Sequence, residues 1–285
     1  MYIQHFGLAQ YPFSLTPNTH YFLKLQSHQH AFNLLLTALD NSGAFAKIIG
    51  EVGTGKTMLC RKVLNALEGH KKRYVTAYIP HPILSEEGVM NALAEELSIV
   101  RASDISYYQL LKLISEALIN LAREGMSVIL LIDEAQAMPE ETLEAIHLLT
   151  KLESAHKKPL QVVLFGQPEL DELLQRPGLK RIRDNLSFSF QLPALTRDGV
   201  ETYVAHRLNR AGYNGPHMFT NKALDLLYQG SLGVPRLINI LSHKALLAAF
   251  GKGDLIINEH HIKLAIDDTE SIHVKKTLTQ RLFAV

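Results

Sequence analysis

The chain has 285 residues, 47% of them hydrophobic and 20% charged, which is enough to bury the core of one large domain or two modest ones. It carries 29 Lys and Arg against 28 Asp and Glu, a net charge of +1 that excludes a global field drawing the protein to nucleic acid or acidic lipid. The single cysteine, Cys60, excludes an intramolecular disulfide and fits a reducing compartment.

The opening "MYIQHFGLAQ" lacks a basic stretch followed by an apolar one, so no signal peptide is expected. The apolar runs "VILLI" (128–132) and "ALLAAF" (245–250) fall far short of the ~18 residues of a membrane helix. The expected location is the cytoplasm, with attachment to a membrane left to a partner.

Residues 1–26 are irregular, with Pro12, Pro17 and the rings of Phe6, Tyr11, Phe13, Tyr21 and Phe22, and read as an ordered arm that packs its aromatics on something. A helix over Gln29–Asp40 places Phe32, Leu35, Leu36 and Leu39 at helical spacing and stops at "NSG", 41–43. Strand and helix patterns then alternate. "AFAKIIG" is a strand and Lys56–Leu67 a helix; "RYVTAYIP" is a strand and Glu87–Leu97 a helix. Tyr107–Arg123 is amphipathic, with Leu110, Leu111, Ile114, Ala117, Leu118 and Leu121 on one stripe. "SVILLIDEA" is a strand without alternation, as expected where both faces of a parallel sheet are covered. "PEETLEAIHLLTKLES" opens a helix with proline and acids in its first turn, and "LQVVLFGQ" and "LSFSFQL" are further strands. The alternation predicts an α/β core over 27–193 with a parallel, helix-covered sheet. After "LPAL" the strand signal stops. Helices over Thr196–Ala211, Asn221–Gln229, Pro235–Phe250 and Asn258–Asp267 predict an all-helical domain over 194–270, followed by a polar tail, 271–285.

"GEVGTGKT" at 50–57 lies between the first strand and its helix and matches G-x-x-x-x-G-K-[ST]. Glycines let the backbone of Gly50, Glu51, Val52, Gly53, Thr54 and Gly55 fold around phosphates, and the N–H groups running on to Met58 face the anion from a helix N-terminus. Lys56 neutralises the terminal phosphates, and the Thr57 hydroxyl is a magnesium ligand. At the end of "VILLIDEAQ", Asp133 is placed to hold the metal shell and Glu134 to polarise water; the plainer alternative is a helix-capping loop. Gln167, after "LQVVLFG", either reaches between water and the terminal phosphate or only starts the turn at Pro168. Arg236 in "GVPRLIN" follows a helix-opening proline; it either reaches over the phosphates when the domains close or is a surface arginine of the helical domain.

These features in this order resemble an AAA+ ATPase: Walker A at 50–57, Walker B at 128–134, a sensor-1 position at Gln167 and a sensor-2 arginine at Arg236. "HFGLAQYPFSLTPNTHYF", "LIDEAQAMPEETLEAIHLLTKLE", "FGQPELDELL" and "GVPRLIN" narrow the resemblance to the general secretion pathway protein A (ExeA) family, over residues 4–268. The resemblance implies a P-loop NTPase sheet followed by a helical lid, with ATP and Mg2+ bound and ATP hydrolysed. It implies a homo-oligomer, a ring of six among the options, that serves assembly of a type IV (MSHA-like) pilus or type II secretion machine with inner-membrane partners. The aromatic arm would wrap the nucleotide base. The chain is expected to stop after the lid, without a membrane segment or peptidoglycan-binding domain.

Three positions depart from the family: His147 and Asn185 stand where relatives carry Arg, and Lys151 where they carry Asn. An arginine near 185 would serve the neighbouring subunit's nucleotide; Arg181 and Arg183 are the nearby substitutes, displaced along the helix. Two alternatives therefore stand beside hydrolysis-driven assembly: a nucleotide-dependent binding switch with little turnover, and a DNA-bound transposition-helper ATPase, against which the near-neutral charge argues. The basic cluster "KRIR" (180–183) lacks the interleaved aromatics of a nucleic-acid surface, and the histidines, His28/His30 and His260/His261 included, lack a zinc pattern.

Overall fold

The computed structural model describes residues 2–16, 21, 23, 26–41, 45–69, 73–82, 85–100, 105–154 and 158–269. Expectations on Pro17, Phe22, residues 42–43 of the first helix stop and the 271–285 tail lie outside them. By contacts the chain forms two units. One holds Gln26–Glu51 and Lys56–Leu192, the other Met1–Leu25, Val52–Gly55 and Pro193–Val285.

A short helix, α1 (Tyr2–His5), belongs to the second unit. The first unit follows in chain order: α2 (Gln26–Asp40), β1 (Phe45–Ile49), α3 (Lys56–Glu68), β2 (Tyr74–Ile79), α4 (Glu86–Glu96), α5 (Tyr107–Arg123), β3 (Ser127–Ile132), α6 (Glu140–Leu149), β4 (Leu160–Gly166), α7 (Glu169–Leu174), α8 (Lys180–Asp184) and β5 (Leu186–Gln191). The strands form one parallel five-stranded sheet in the order β2-β3-β4-β1-β5. Every residue of β3 is buried because successive side chains enter two cores. Val128, Leu130 and Ile132 meet Val89, Leu93, Ile114 and Leu118 of α4 and α5 on one face, whereas Ile129 and Leu131 meet Leu35, Leu59 and Val63 of α2 and α3 on the other. The edge strand β5 alternates between half-buried and exposed residues along its length.

Register sets where the loops emerge. Ile49 of β1 is level with Gly166 of β4, and Ile132 of β3 with Leu164. The chain leaving β3 therefore draws level with Gly166 at Glu134, so β1, β3 and β4 deliver their following residues to one sheet edge, where α/β sheets bind ligands. Local signals hold the helices in place: Ser85 caps α4 through the Gly88 N–H, and Ser106 and Gln109 form a capping box at α5. Sequence reading did not resolve α7 and α8, which are too short to show a periodic stripe.

The second unit is built on α9 (Arg197–Arg210), α10 (Asn221–Ser231), α11 (Pro235–Lys252) and α12 (Glu259–Asp267) around Val200, Val204, Leu227, Ile238, Leu241 and Ile262. Tyr2, Phe6, Leu8 and Phe13 enter the same core. The arm is tied down by Arg207, whose guanidinium donates to the Pro12 carbonyl at 2.6 Å and the Ser14 carbonyl at 2.8 Å while lying 4.4 Å from the Tyr21 ring. Arm rings expected around a base are thus engaged by protein: Phe6 and Phe13 in this core, Tyr21 against Arg207. Among the described residues no helix is long and apolar enough to cross a membrane.

Candidate functional site

The turn leaving β1 begins with the Gly50 N–H bonded to the Gly166 carbonyl at 3.1 Å, which fastens it to the end of β4. Gly53 and Gly55 have φ of +84° and +103°, conformations in which a side chain would be strained. The loop then runs into α3, whose first residue is Lys56, so the unpaired N–H groups of a helix N-terminus close the cradle. Glu51 and Val52 are exposed, Thr54 is buried, and Met58 is half-buried in the first turn of α3. Lys56 is 4% exposed, and its ammonium donates to the carbonyls of Gly50 at 2.8 Å and Glu51 at 3.1 Å. Burial holds its pKa below the usual lysine value, against the opposing charges of Glu134, Asp133 and Glu51.

Asp133, 3% exposed, accepts the Thr57 hydroxyl on Oδ2 at 2.6 Å and the Glu134 N–H on Oδ1 at 3.0 Å. Burial raises its pKa, and the bonds from Thr57 and Glu134 with the charge of Lys56 only partly offset this. A hydroxyl and a buried carboxylate in contact form an oxygen pair suited to a hard cation. Thr57 and Asp133 thus fit the metal position assigned from sequence, and Lys56 with the glycine loop fits a polyphosphate.

Glu134 adopts left-handed backbone angles (φ 53°, ψ 38°), a strained conformation for a residue with a side chain and one concentrated at functional sites. Its Oε2 accepts the side-chain amides of Gln136 at 2.6 Å and Gln167 at 2.9 Å. Burial alone would raise the Glu134 pKa. The hydrogen bonds from Gln167 and Gln136, with the charges of Lys56 and His81, outweigh it and hold the carboxyl below the usual glutamate value. The Gln167 carbonyl accepts the Leu170 N–H of the following turn at 2.9 Å, as the turn reading expects, and its side-chain amide is held by Glu134.

Arg236 stands in the first turn of α11, and its backbone N–H donates to the Gly53 carbonyl at 3.2 Å. A Cβ on Gly53 would come within 2.5 Å of the Arg236 Cβ, so only glycine permits this approach. The Arg236 residue is exposed, and its guanidinium makes no hydrogen bond or ion pair among the described residues. The turn before α11 also requires glycine: Gly233 has φ +72°, and a Cβ there would lie 2.0 Å from the Leu195 carbonyl oxygen.

Of the three positions set apart in the sequence, Asn185 donates its side-chain amide to the Arg181 carbonyl at 2.6 Å and caps α8. Arg183 is folded back onto the Leu174 and Gln175 carbonyls and the Gln175 side chain, at 3.2–3.5 Å. Arg181 is exposed, and its guanidinium has no such partner among the described residues. His147 is buried against the Phe45 ring with neither ring nitrogen hydrogen-bonded among the described residues, and burial, with the Lys151 and Arg181 charges, lowers its pKa. Sequence reading missed Gln136; its only signal was the polar fourth residue of "DEAQ", at a sheet edge already rich in functional groups.

The family described as AAA domain matches residues 39–174. General secretion pathway protein A of Aeromonas hydrophila is 38% identical over 277 residues, covering 97% of this chain and 50% of that protein, so the chain spans half the relative's length. The Aeropyrum pernix ORC2 protein (ADPNP-ADP complexes) superposes with TM-score 0.67 at 16% identity, over 92% of this chain and 72% of that one. Cdc6p of Pyrobaculum aerophilum gives 0.65 at 18% identity, over 86% and 67%, and the Thermotoga maritima RuvB Holliday junction branch migration motor gives 0.56 at 14%, over 86% and 70%. The parallel sheet, the glycine loop at its edge and these similarities together give this chain the P-loop AAA fold, with a sequence similar to half of general secretion pathway protein A.

Proposed function

We propose that the protein is an ATP-hydrolysing AAA+ ATPase of the general secretion pathway protein A family, of the kind represented by the MSHA pilus biogenesis protein MshM. In this reading it works in the cytoplasm as a homo-oligomer, recruited to the inner membrane by assembly proteins of a type IV pilus or type II secretion machine. The observation that carries the enzymatic part is the connected set Thr57–Asp133–Glu134–Gln167 at one sheet edge, beside the buried Lys56.

Lys56 and the 50–57 backbone bind the triphosphate; Thr57 and Asp133 would hold Mg2+, which would supply positive charge to the phosphates. Glu134, ionised at neutral pH, takes a proton from water as the oxygen bonds to the terminal phosphorus; the bond to the bridging oxygen breaks and ADP leaves. Gln167 orients that water, and Arg236 supplies positive charge from the lid. Purified protein is expected to release phosphate from ATP, and Lys56→Ala and Glu134→Gln to abolish it. Wild-type release no higher than either variant would overturn the reading.

A second reading, a nucleotide-dependent binding switch with little turnover, is favoured by one observation: Asn185 uses its side chain to cap α8 and offers no charge to a neighbouring copy. Tight ATP binding with negligible release, unchanged in Asn185→Arg, would support it.

A further inference from the structure

Gln136 takes no part in the hydrolytic steps above, yet its carboxamide has both ends engaged. Its Nε2 donates to Glu134 Oε2 at 2.6 Å, and its Oε1 accepts the Gln167 backbone N–H at 3.1 Å. The Gln167 side chain returns to the same Glu134 oxygen at 2.9 Å, closing a ring of three residues across the ends of β3 and β4. The orientation of the carboxamide is fixed by its surroundings: flipped, it would set NH2 against an N–H and oxygen against a carboxylate. Gly166 makes room for it, since a Cβ there would stand 3.2 Å from Gln136 Oε1 and 2.6 Å from the Leu170 side chain. The 135–137 turn that carries Gln136 is itself held by the Ala137 N–H on the Glu134 carbonyl at 3.0 Å.

We propose that Gln136 is a positioning residue that sets the Glu134 carboxylate and the Gln167 backbone as one unit. Both amide donors fall on Oε2, and Oε1 accepts none among the described residues, so one oxygen is anchored and the other is left to meet water. A carboxylate anchored by two donors on one oxygen cannot swing without breaking both bonds. Gln136 also sets where the β4 exit, and with it the Gln167 side chain, stands relative to Glu134. The inference rests on the hydrolytic reading only for its kinetic consequence.

The test compares wild type with Gln136→Met, which keeps the length and removes both hydrogen bonds, and with Gln136→Leu as a second apolar variant. Turnover number is expected to fall about tenfold, with KM for ATP and the affinity for a fluorescent ATP analogue within about twofold of wild type. In the nucleotide-free protein, backbone hydrogen exchange at Gln167 is expected to speed up about tenfold while β3 amides keep their protection. Gln136→Met combined with Gln167→Leu should cost less than the two single losses multiplied, because both donors act on one oxygen. Unchanged or faster turnover, turnover loss matched by equal loss of affinity, or unaltered exchange at Gln167 would each overturn the proposal. If wild type itself does not hydrolyse ATP, the enzymatic reading fails, and the exchange measurement still decides the positioning claim.

Discussion

The Thr57 hydroxyl donates to Asp133 Oδ2 at 2.6 Å, joining the first turn of the helix after β1 to the residue after β3 across 76 positions of sequence. The Asp133 carboxyl is buried, so its remaining oxygen capacity is directed by few neighbours, and the hydroxyl is its one side-chain donor among the described residues. Thr57→Val keeps the shape and removes that donor. The variant is expected to lose about 1–3 kcal/mol of stability from the weakened satisfaction of a buried acceptor. Half-maximal Mg2+ in the phosphate-release assay should rise about tenfold, because the metal ligand proposed at this position is lost as well. Denaturant unfolding and a Mg2+ titration check the two parts separately, and chelation of Mg2+ should abolish release in wild type.

The Gly53 contact makes a second expectation. Alanine there meets the Arg236 Cβ at 2.5 Å and must hold φ near +84°. The left-handed backbone costs roughly 1–2 kcal/mol for a residue with a Cβ, before any steric displacement of α11. Gly53→Ala is therefore expected to lower thermal stability and to weaken ATP binding, both measurable by a thermal-shift titration with nucleotide. Serine or valine at the same position should be worse, in order of bulk.

Much of this architecture is legible along the chain, and the illegible parts have a common cause. "VILLI" lacks alternation because β3 feeds two cores, whereas "LSFSF" alternates because β5 is an edge. The phosphate loop is legible because its chemistry is contiguous. The Gln136–Gln167 bond is not, since it joins residues 31 apart whose meeting depends on the register of β3 against β4. Arg207 likewise fastens the arm to α9 across 195 positions, which no local pattern announces. Helix ends followed caps more than periodicity: α11 runs two residues past Phe250 to Lys252 because Gly253, at φ +76°, supplies the stop.

Acid sensitivity follows from histidines held neutral. Burial lowers the pKa of His206, His243 and His261 in the helical unit and of His147 in the sheet unit below the ordinary 6.5. At His261 burial outweighs the Asp254 carboxylate, which lies 3.1 Å from Nε2 and favours the charged ring, and protonation of Nδ1 would also lose the Asn258 N–H that it accepts at 3.2 Å. As pH falls through 6.5, unfolded chains take up protons that the folded protein resists, so stability is full above that value and declines below it. Urea unfolding at pH 7.5 and 5.5 should show a lower midpoint at the acid value. His261→Gln, which has no titrating ring, should reduce the difference between the two.

The two arginines of α8 are expected to behave differently, since one is committed within the chain and the other is not. Arg183 satisfies the Leu174 and Gln175 carbonyls at the end of α7, so Arg183→Ala should cost stability, seen as a lower unfolding midpoint, with turnover per folded molecule little changed. Arg181 lies on the same short helix, exposed, and its guanidinium makes no hydrogen bond or ion pair among the described residues. If copies of the chain complete one another's sites, Arg181 is the cation available to a neighbour's phosphates. Turnover per subunit should then rise with protein concentration in wild type, and Arg181→Ala should remove that rise, about a thousandfold at saturation, without changing ATP affinity in the dilute protein. Asn185→Arg, which would add a second cation one turn further along, should restore part of it. Turnover independent of concentration, or equal loss from both arginine substitutions, would remove Arg181 from this role.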